Sequence, residues 1–304
     1  MFLKRLFVLL LSCSIFLFTG CDYQDKNLSV PIETTSVSYT ASISSEEKEL
    51  PENSSFSIQF IDVGQADAAL IECDNKYMLI DGGNVADSDI IYSILKRNNI
   101  TYLDIVVGTH AHEDHIGGLS GALQYAEAGT VLCPVKEYDS KAFKNFKKIA
   151  EEKSSEFIIP EIDSKYYLGS AEITILGVNS AEGTNNSSIV LMIKYGETSF
   201  LFTGDAEYEA EQEILSREPD LSCNVLKVGH HGSDTSTSYV WLNAIMPEYA
   251  IISVGEENSY GHPTEKVLSR LEDAEVQTYR TDICGDIYVV SDGETVKIST
   301  EKEF

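Results

Sequence analysis

An α/β fold of four layers, two β-sheets packed face to face with helices outside them (αββα), is what this sequence predicts. Three observations carry that expectation. Short apolar runs of strand length recur in both halves of the chain. Segments with helical apolar spacing fall between them, and from residue 56 onward no low-complexity break interrupts the alternation. Hydrophobic residues make up 43% of the 304, enough to fill the interior such a sandwich encloses. With no internal repeat and no second boundary, residues 56–304 read as one domain.

Ahead of that domain lie a short basic start, Met1-Phe2-Leu3-Lys4-Arg5, and an apolar run over residues 6–18. The run is too short to span a bilayer comfortably and suits the hydrophobic stretch of an export signal. It ends in Leu17-Phe18-Thr19-Gly20-Cys21, which resembles the lipobox of bacterial lipoproteins. That resemblance implies a signal peptide over residues 1–20, lipidation of Cys21, and an exported chain anchored by lipid on the outer side of the cell membrane. An uncleaved anchor or ordinary secretion is the alternative. Residues 21–55 are rich in Ser, Thr, Glu, Asp and Asn and read as a flexible tether, since they bury too little apolar surface to order themselves.

Within the domain, residues 56–63 alternate as a strand, 68–73 and 77–80 form two more across the turn Asp74-Asn75-Lys76, and 88–97 carry helical spacing. A buried strand at 103–108 leads into a polar loop, a helix over 117–126 leaves it, and 130–135 is a further strand. Residues 140–153 predict a basic amphipathic helix with Lys141, Lys144, Lys147, Lys148 and Lys153. These lysines read as a solvated face, with a landing site for an anionic polymer as the alternative. Strands follow at 172–176, 188–194 and 198–202, a helix at 207–217, a strand at 224–228 and a helix at 239–245. A strand at 249–254, a helix at 264–271 and strands at 276–280, 286–290 and 295–299 complete the chain.

The formal charge is −27. Such a surface keeps a protein soluble and repels polyanions, which counts against a wide nucleic-acid-binding face. A local metal centre can still accept a single phosphodiester. None of the six cysteines forms a CxxC pair, so a cysteine-based zinc site is not expected. Cys73, Cys133 and Cys223 sit in apolar runs and read as small buried hydrophobes.

The chemistry collects in Thr109-His110-Ala111-His112-Glu113-Asp114-His115-Ile116-Gly117-Gly118, with four metal-binding side chains within six residues. Packing does not need that spacing, and chelation does. His110 and His112 can close on one ion from a turn, and Asp114 and His115 can face a second. All six histidines of the chain lie in polar positions beside strands: these three, the adjacent pair His230 and His231, and His262 before a proline. Asp205, at the end of the strand in Phe202-Thr203-Gly204-Asp205, suits a carboxylate bridging two ions, with a helix N-cap as the alternative. His231 is expected as a ligand, and His230 as a neighbour that either supports the ligands or contacts substrate. His262 is expected to bind substrate or serve the leaving group. Asp81, after a strand, suits a buried carboxylate orienting a histidine ligand.

Together, Phe60-Ile61-Asp62-Val63-Gly64-Gln65-Ala66-Asp67, the HxHxDH stretch, Asn185-Asn186-Ser187-Ser188-Ile189-Val190-Leu191, Thr203-Gly204-Asp205, His230-His231-Gly232-Ser233 and Tyr260-Gly261-His262-Pro263 occur in this order. The set resembles the metallo-hydrolase domain of the ComEC DNA-uptake channel proteins and their stand-alone relatives, within the metallo-β-lactamase-fold hydrolases. Bacterial phosphorylcholine esterases share much of the pattern. The resemblance, from about Phe56 to the C-terminus, implies an αββα metallo-β-lactamase sandwich holding one or two zinc ions, with manganese as the alternative. It implies metal ligation by His110, His112, Asp114, His115, Asp205 and His231, and catalytic roles for Asp114, His230 and His262. Asp81, Asn186, Ser187, Glu207 and Ser233 are expected beside the ligands or the substrate.

Three departures stand out. Ala66 replaces a frequent glycine, the channel's membrane-spanning segments are absent, and no histidine lies between His115 and His230, where many relatives supply a third ligand to the first ion. The expected activity is metal-dependent hydrolysis of a phosphodiester, in DNA or in a cell-wall or small-molecule ester. The competing class is a non-catalytic surface lipoprotein that binds a ligand on a degenerate scaffold. No stretch can be assigned to a protein partner.

Overall fold

The computed structural model describes residues 50–303 apart from 154 and 155; the proposed signal, Cys21 and most of the expected tether lie outside the described residues. Two sheets face each other. The first runs in the order β15-β14-β1-β2-β3-β4-β5-β6, where β1 is Phe56–Phe60, β2 Ala69–Cys73, β3 Lys76–Ile80, β4 Tyr102–Val107, β5 Glu127–Leu132, β6 Glu156–Ile158, β14 Ile287–Ser291 and β15 Val296–Thr300. The second runs β13-β12-β11-β10-β9-β8-β7, with β7 Lys165–Leu168, β8 Ala171–Gly177, β9 Val190–Tyr195, β10 Thr198–Phe202, β11 Val225–Lys227, β12 Tyr249–Ile252 and β13 Gln277–Arg280.

The pleat sorts the side chains. On β1, Phe56, Ile58 and Phe60 point to the interior between the sheets, where they meet Leu191, Ile193 and Tyr195 of β9 and Phe200 and Phe202 of β10. Phe56 stacks on Phe200 at 4.7 Å and Phe60 on Phe202 at 5.6 Å. Each such buried ring contributes about 1.5–3 kcal/mol of burial.

The opposite faces of the sheets meet helices. Leu79, Val106 and Val131 pack under α1 (Ser88–Arg97), α3 (Leu119–Tyr125) and α4 (Lys141–Glu152). Leu201, Leu226 and Ile252 pack under α5 (Tyr208–Ser216), α6 (Tyr239–Ile245) and α7 (Glu265–Asp273). Helix α4 begins where the Ser140 hydroxyl accepts from Phe143 N. It buries Ala142, Phe143, Phe146 and Ala150, leaving its lysines outward.

Several elements differ from the sequence expectation. Strand β1 stops at Phe60, and residues 61–68 form a loop; β5 starts and ends earlier than predicted. Strand β9 begins at Val190 because Asn185–Ser187 wind into a 3-10 turn. The pattern did not reveal β6, β7 or the short α8 (Thr281–Cys284). Three- and four-residue elements show no period, and β6 exists through its parallel pairing to β5. A further helix, α2 (Glu113–Ile116), sits inside the metal-binding motif. Leu50, ahead of the expected domain start, packs against the core between the sheets. Cys73, Cys133, Cys223 and Cys284 are free and buried. No helix among the described residues is long and apolar enough to cross a membrane.

Candidate metal centre

Parallel pairing of β3-β4-β5 and of β10-β11-β12 brings the carboxyl ends of those strands to a common edge, where their loops can converge. Asp81 follows β3, the histidine motif follows β4, Asp205 follows β10, and His230 and His231 follow β11. The backbone there is forced. Asp81, His230 and His231 all have φ between 49° and 58°, a region side chains avoid unless their surroundings over-determine it. A Cβ on Gly118 would sit 1.9 Å from the Gly82 carbonyl. Only glycine lets the loop after β3 lie against the motif, where Gly82 N donates to His115 O at 2.7 Å.

At the floor of the site three buried imidazoles and Asp205 converge. His115 Nε2 lies 3.2 Å and His231 Nε2 3.9 Å from Asp205 Oδ1. His110 Nε2 lies 3.7 Å from Asp205 Oδ2, and His231 Nε2 is 3.5 Å from Asp114 Oδ2. The other ring nitrogens are taken. His115 Nδ1 meets Asp81 Oδ2 at 2.8 Å, and His231 Nδ1 donates to the Ser253 carbonyl at 3.0 Å. Asp81 in turn accepts from Thr109 N and Oγ1 at 2.8 and 2.7 Å. These contacts fix each tautomer so that Nε2 faces the centre.

Beneath lies a pair to which the sequence reading assigned no role. Lys227 Nζ, almost wholly buried, lies 2.8 Å from Asp67 Oδ2, and Asp67 Oδ1 is 3.2 Å from His231 Nδ1. Asp67 stands in the first motif, but nothing local to the sequence shows that the lysine ending β11 points inward to meet it.

The electrostatics follow from this packing. Burial alone would drive the His231 proton off, but Asp205 and Asp67 outweigh it and hold its pKa at about 10. His115 is likewise raised against burial by Asp205 and Asp81. Burial and the charge on His115 depress His110. Asp67 is held far below the usual carboxylate range, because Lys227 and His231 overcome its burial; burial raises Asp81.

A divalent cation fits this donor set. His115 Nε2, Asp205 Oδ1 and His231 Nε2 are buried without a hydrogen bond, and buried polar atoms seldom go without a partner. Donor atoms of His110, His115 and Asp205, and of Asp114, His115 and His231, lie within 4.8 Å of one another. Nitrogen and carboxylate oxygen suit zinc, manganese or iron. The grouping differs from the expected pairing of His110 with His112: His115 belongs to both sets, and His112 Nδ1 contacts His110 Nε2 at 3.0 Å.

A cavity of about 330 Å³ opens above the floor, lined by Gln65, His112, Glu113, Asp114, Asn185, Asp205, His230, His231, Tyr260 and His262. His230 is partly exposed, with Nδ1 3.4 Å from Glu207 Oε1, and Asn185 Nδ2 lies 3.5 Å from its Nε2. Asn185 thus stands at the cavity where no third histidine is available. Asn186 faces away, its Oδ1 accepting from Glu207 N and its Nδ2 donating to Glu182 O. The Ser187 hydroxyl donates to Thr184 O, whereas Ser188 Oγ accepts from Asp205 N. Ser233 Oγ meets Thr235 Oγ1, which donates to Glu207. Of the lysines at helix α4, Lys144, Lys147 and Lys148 pair with Asp139, Glu137 and Glu152.

Residues 61–256 match the family model described as Metallo-beta-lactamase superfamily. ComE operon protein 3 of Bacillus subtilis is 31% identical over 252 residues, 76% of this chain and 32% of that protein. Competence protein ComA of Neisseria gonorrhoeae is 31% identical over 238 residues, 78% of this chain and 32% of that protein. The chain therefore spans about a third of the length of these relatives. The metallo-beta-lactamase fold protein YhfI from Bacillus subtilis shares the fold at a TM-score of 0.50 and 12% identity, over 74% of this chain and 95% of that one.

Proposed function

The chain belongs to the metallo-beta-lactamase superfamily, and from that premise we propose that it is a metal-dependent phosphodiesterase, held on the outer side of the membrane by a lipid on Cys21. One observation carries the catalytic part: three buried donor atoms without a hydrogen bond, on His115, Asp205 and His231, converge beside a cavity open to solvent. The order of motifs that resembles DNA-uptake proteins, together with a relative named as a competence protein, supports a nucleic-acid diester as substrate.

His110, His115, Asp205, Asp114 and His231 hold the metal, with His112 able to turn from His110 to join them. A divalent cation there supplies Lewis acidity and brings water within reach of ionisation near neutral pH. The chain's own residues do the rest. Asp81 and the Ser253 carbonyl keep His115 and His231 in register. Asn185 and His230 hold the non-bridging oxygens of the diester by hydrogen bonds. His262, whose pKa is lowered by partial burial and by the neighbouring His230 and His231, takes up the proton released on attack and returns it to the departing oxygen.

The test is metal content of the purified chain, with hydrolysis of bis-p-nitrophenyl phosphate and single-stranded DNA after Mn²⁺ or Zn²⁺ addition. Bound metal and activity together, both lost in Asp114→Ala and His231→Ala, are the expected result. A folded chain that takes up no metal under any loading condition would overturn the reading in favour of a non-catalytic binding scaffold.

A further inference from the structure

Beyond the cavity floor, aromatic rings form a ledge. His231 and His230 lie 6.2 Å apart by ring centroids, His230 and His262 5.7 Å, and His262 and Tyr260 5.8 Å with their planes only 25° apart. Tyr260, the outermost of these residues, is 71% exposed.

The backbone of the loop is tied down by side-chain hydrogen bonds. Asn258 Oδ1 accepts from Tyr260 N and His262 N, and Asn258 Nδ2 donates to the carbonyls of Gly255 and His262. Gln65 bridges to the same loop, its Oε1 accepting from Gly255 N and its Nε2 lying 3.4 Å from His262 Nδ1. A tied-down backbone holding an exposed tyrosine beside a cavity of about 330 Å³, with His262 against one side of its ring, leaves the other face free for a planar group. The charge around it limits what that group can belong to. None of the cavity's lining side chains is a lysine or arginine, whereas Glu113, which no metal-ligand grouping uses, is among them. A strand with successive phosphates would find no basic side chain in the lining to track and a net charge of −27 to repel it.

We propose that Tyr260 is a stacking platform for a nucleobase attached to the scissile diester, and that the site takes dinucleotides or the ends of very short strands. This rests on the phosphodiesterase reading and names its substrate class. The base lies on Tyr260, its phosphate reaches the floor past His262, and flanking phosphates stay in solvent.

The probe is a 2-aminopurine–thymidine dinucleotide with a phosphorothioate linkage, whose fluorescence is quenched when the base stacks. Quenching is expected on binding to the Mn²⁺-loaded chain, with affinity kept in Tyr260→Phe and weakened about 5- to 100-fold in Tyr260→Ala. On the ordinary linkage, Tyr260→Ala raises KM more than it lowers kcat. A strand of about twenty nucleotides binds no more than a few-fold tighter than the dinucleotide. Absent quenching, equal affinity in Tyr260→Ala, or far tighter binding of the long strand each overturns the proposal. Should metal content and bis-p-nitrophenyl phosphate hydrolysis persist in that case, the phosphodiesterase reading stands alone; their absence from the parent chain would bring down both.

Discussion

The floor and the rim of the cavity use the same residue type in opposite ways. At the floor, His115 and His231 are buried, and each has its Nδ1 in a contact of 2.8–3.0 Å with a carboxylate or carbonyl. At the rim, His230 and His262 are partly exposed, and their ring contacts to Thr235 and Gln65 stretch to 3.3 and 3.4 Å. Short buried contacts lock a ring before any ion arrives, which lowers the cost of ordering it on binding. Long exposed ones leave a ring free to adjust to a substrate. On the proposed reading, metal binding falls to the buried, locked rings at the strand ends and substrate contact to the partly exposed ones beside them.

The largest break in that comparison comes from below the floor. Lys227→Met strands the Asp67 carboxylate without its cation, and removing one partner of a buried pair costs about 3–5 kcal/mol. A fall in the denaturant midpoint is expected, and the double variant Lys227→Met/Asp67→Asn should recover most of it. Recovery of none would mean that Lys227 stabilises through packing alone.

Asp81→Asn sharpens the contrast next. It leaves the fold but removes the carboxylate on His115 Nδ1, and weakens metal affinity about 10- to 100-fold by competition with a chelating dye. An unchanged affinity would show that the floor is not preorganised by Asp81.

The smallest effect lies at the far end of β3, in the turn opposite the site. Burial would raise the Asp74 carboxyl, yet hydrogen bonds from Ser170, Ser54 and Ser55 outweigh it and bring its pKa to about 2. A pKa lowered on folding contributes stability that is present above the ordinary value of 3.8 and lost as pH falls towards about 2. Discounted for solvent screening, this is about 1 kcal/mol. The stability gap between the parent chain and Asp74→Asn should therefore be constant at neutral pH and close below about pH 4. A gap that persists at low pH would assign it to something other than the carboxylate.

The αββα architecture was legible because period-2 alternation in segments such as Phe56-Ser57-Ile58-Gln59-Phe60 and the helical spacing of Ile91, Ile94 and Leu95 are local properties that the packed structure repeats. The histidine motif was legible for the same reason, its ligand types lying within one short stretch. What could not be read were partnerships between distant residues. Nothing near Lys227 announces Asp67, and nothing within Asn185-Asn186-Ser187-Ser188 says that the first residue faces the cavity while the last holds Asp205 N. Residue types and their order thus determined which chemistry was available and which elements would form. Tertiary structure alone decided which donor atoms share a centre, because that depends on which strand ends the parallel pairing brings to one edge and which way each loop turns there.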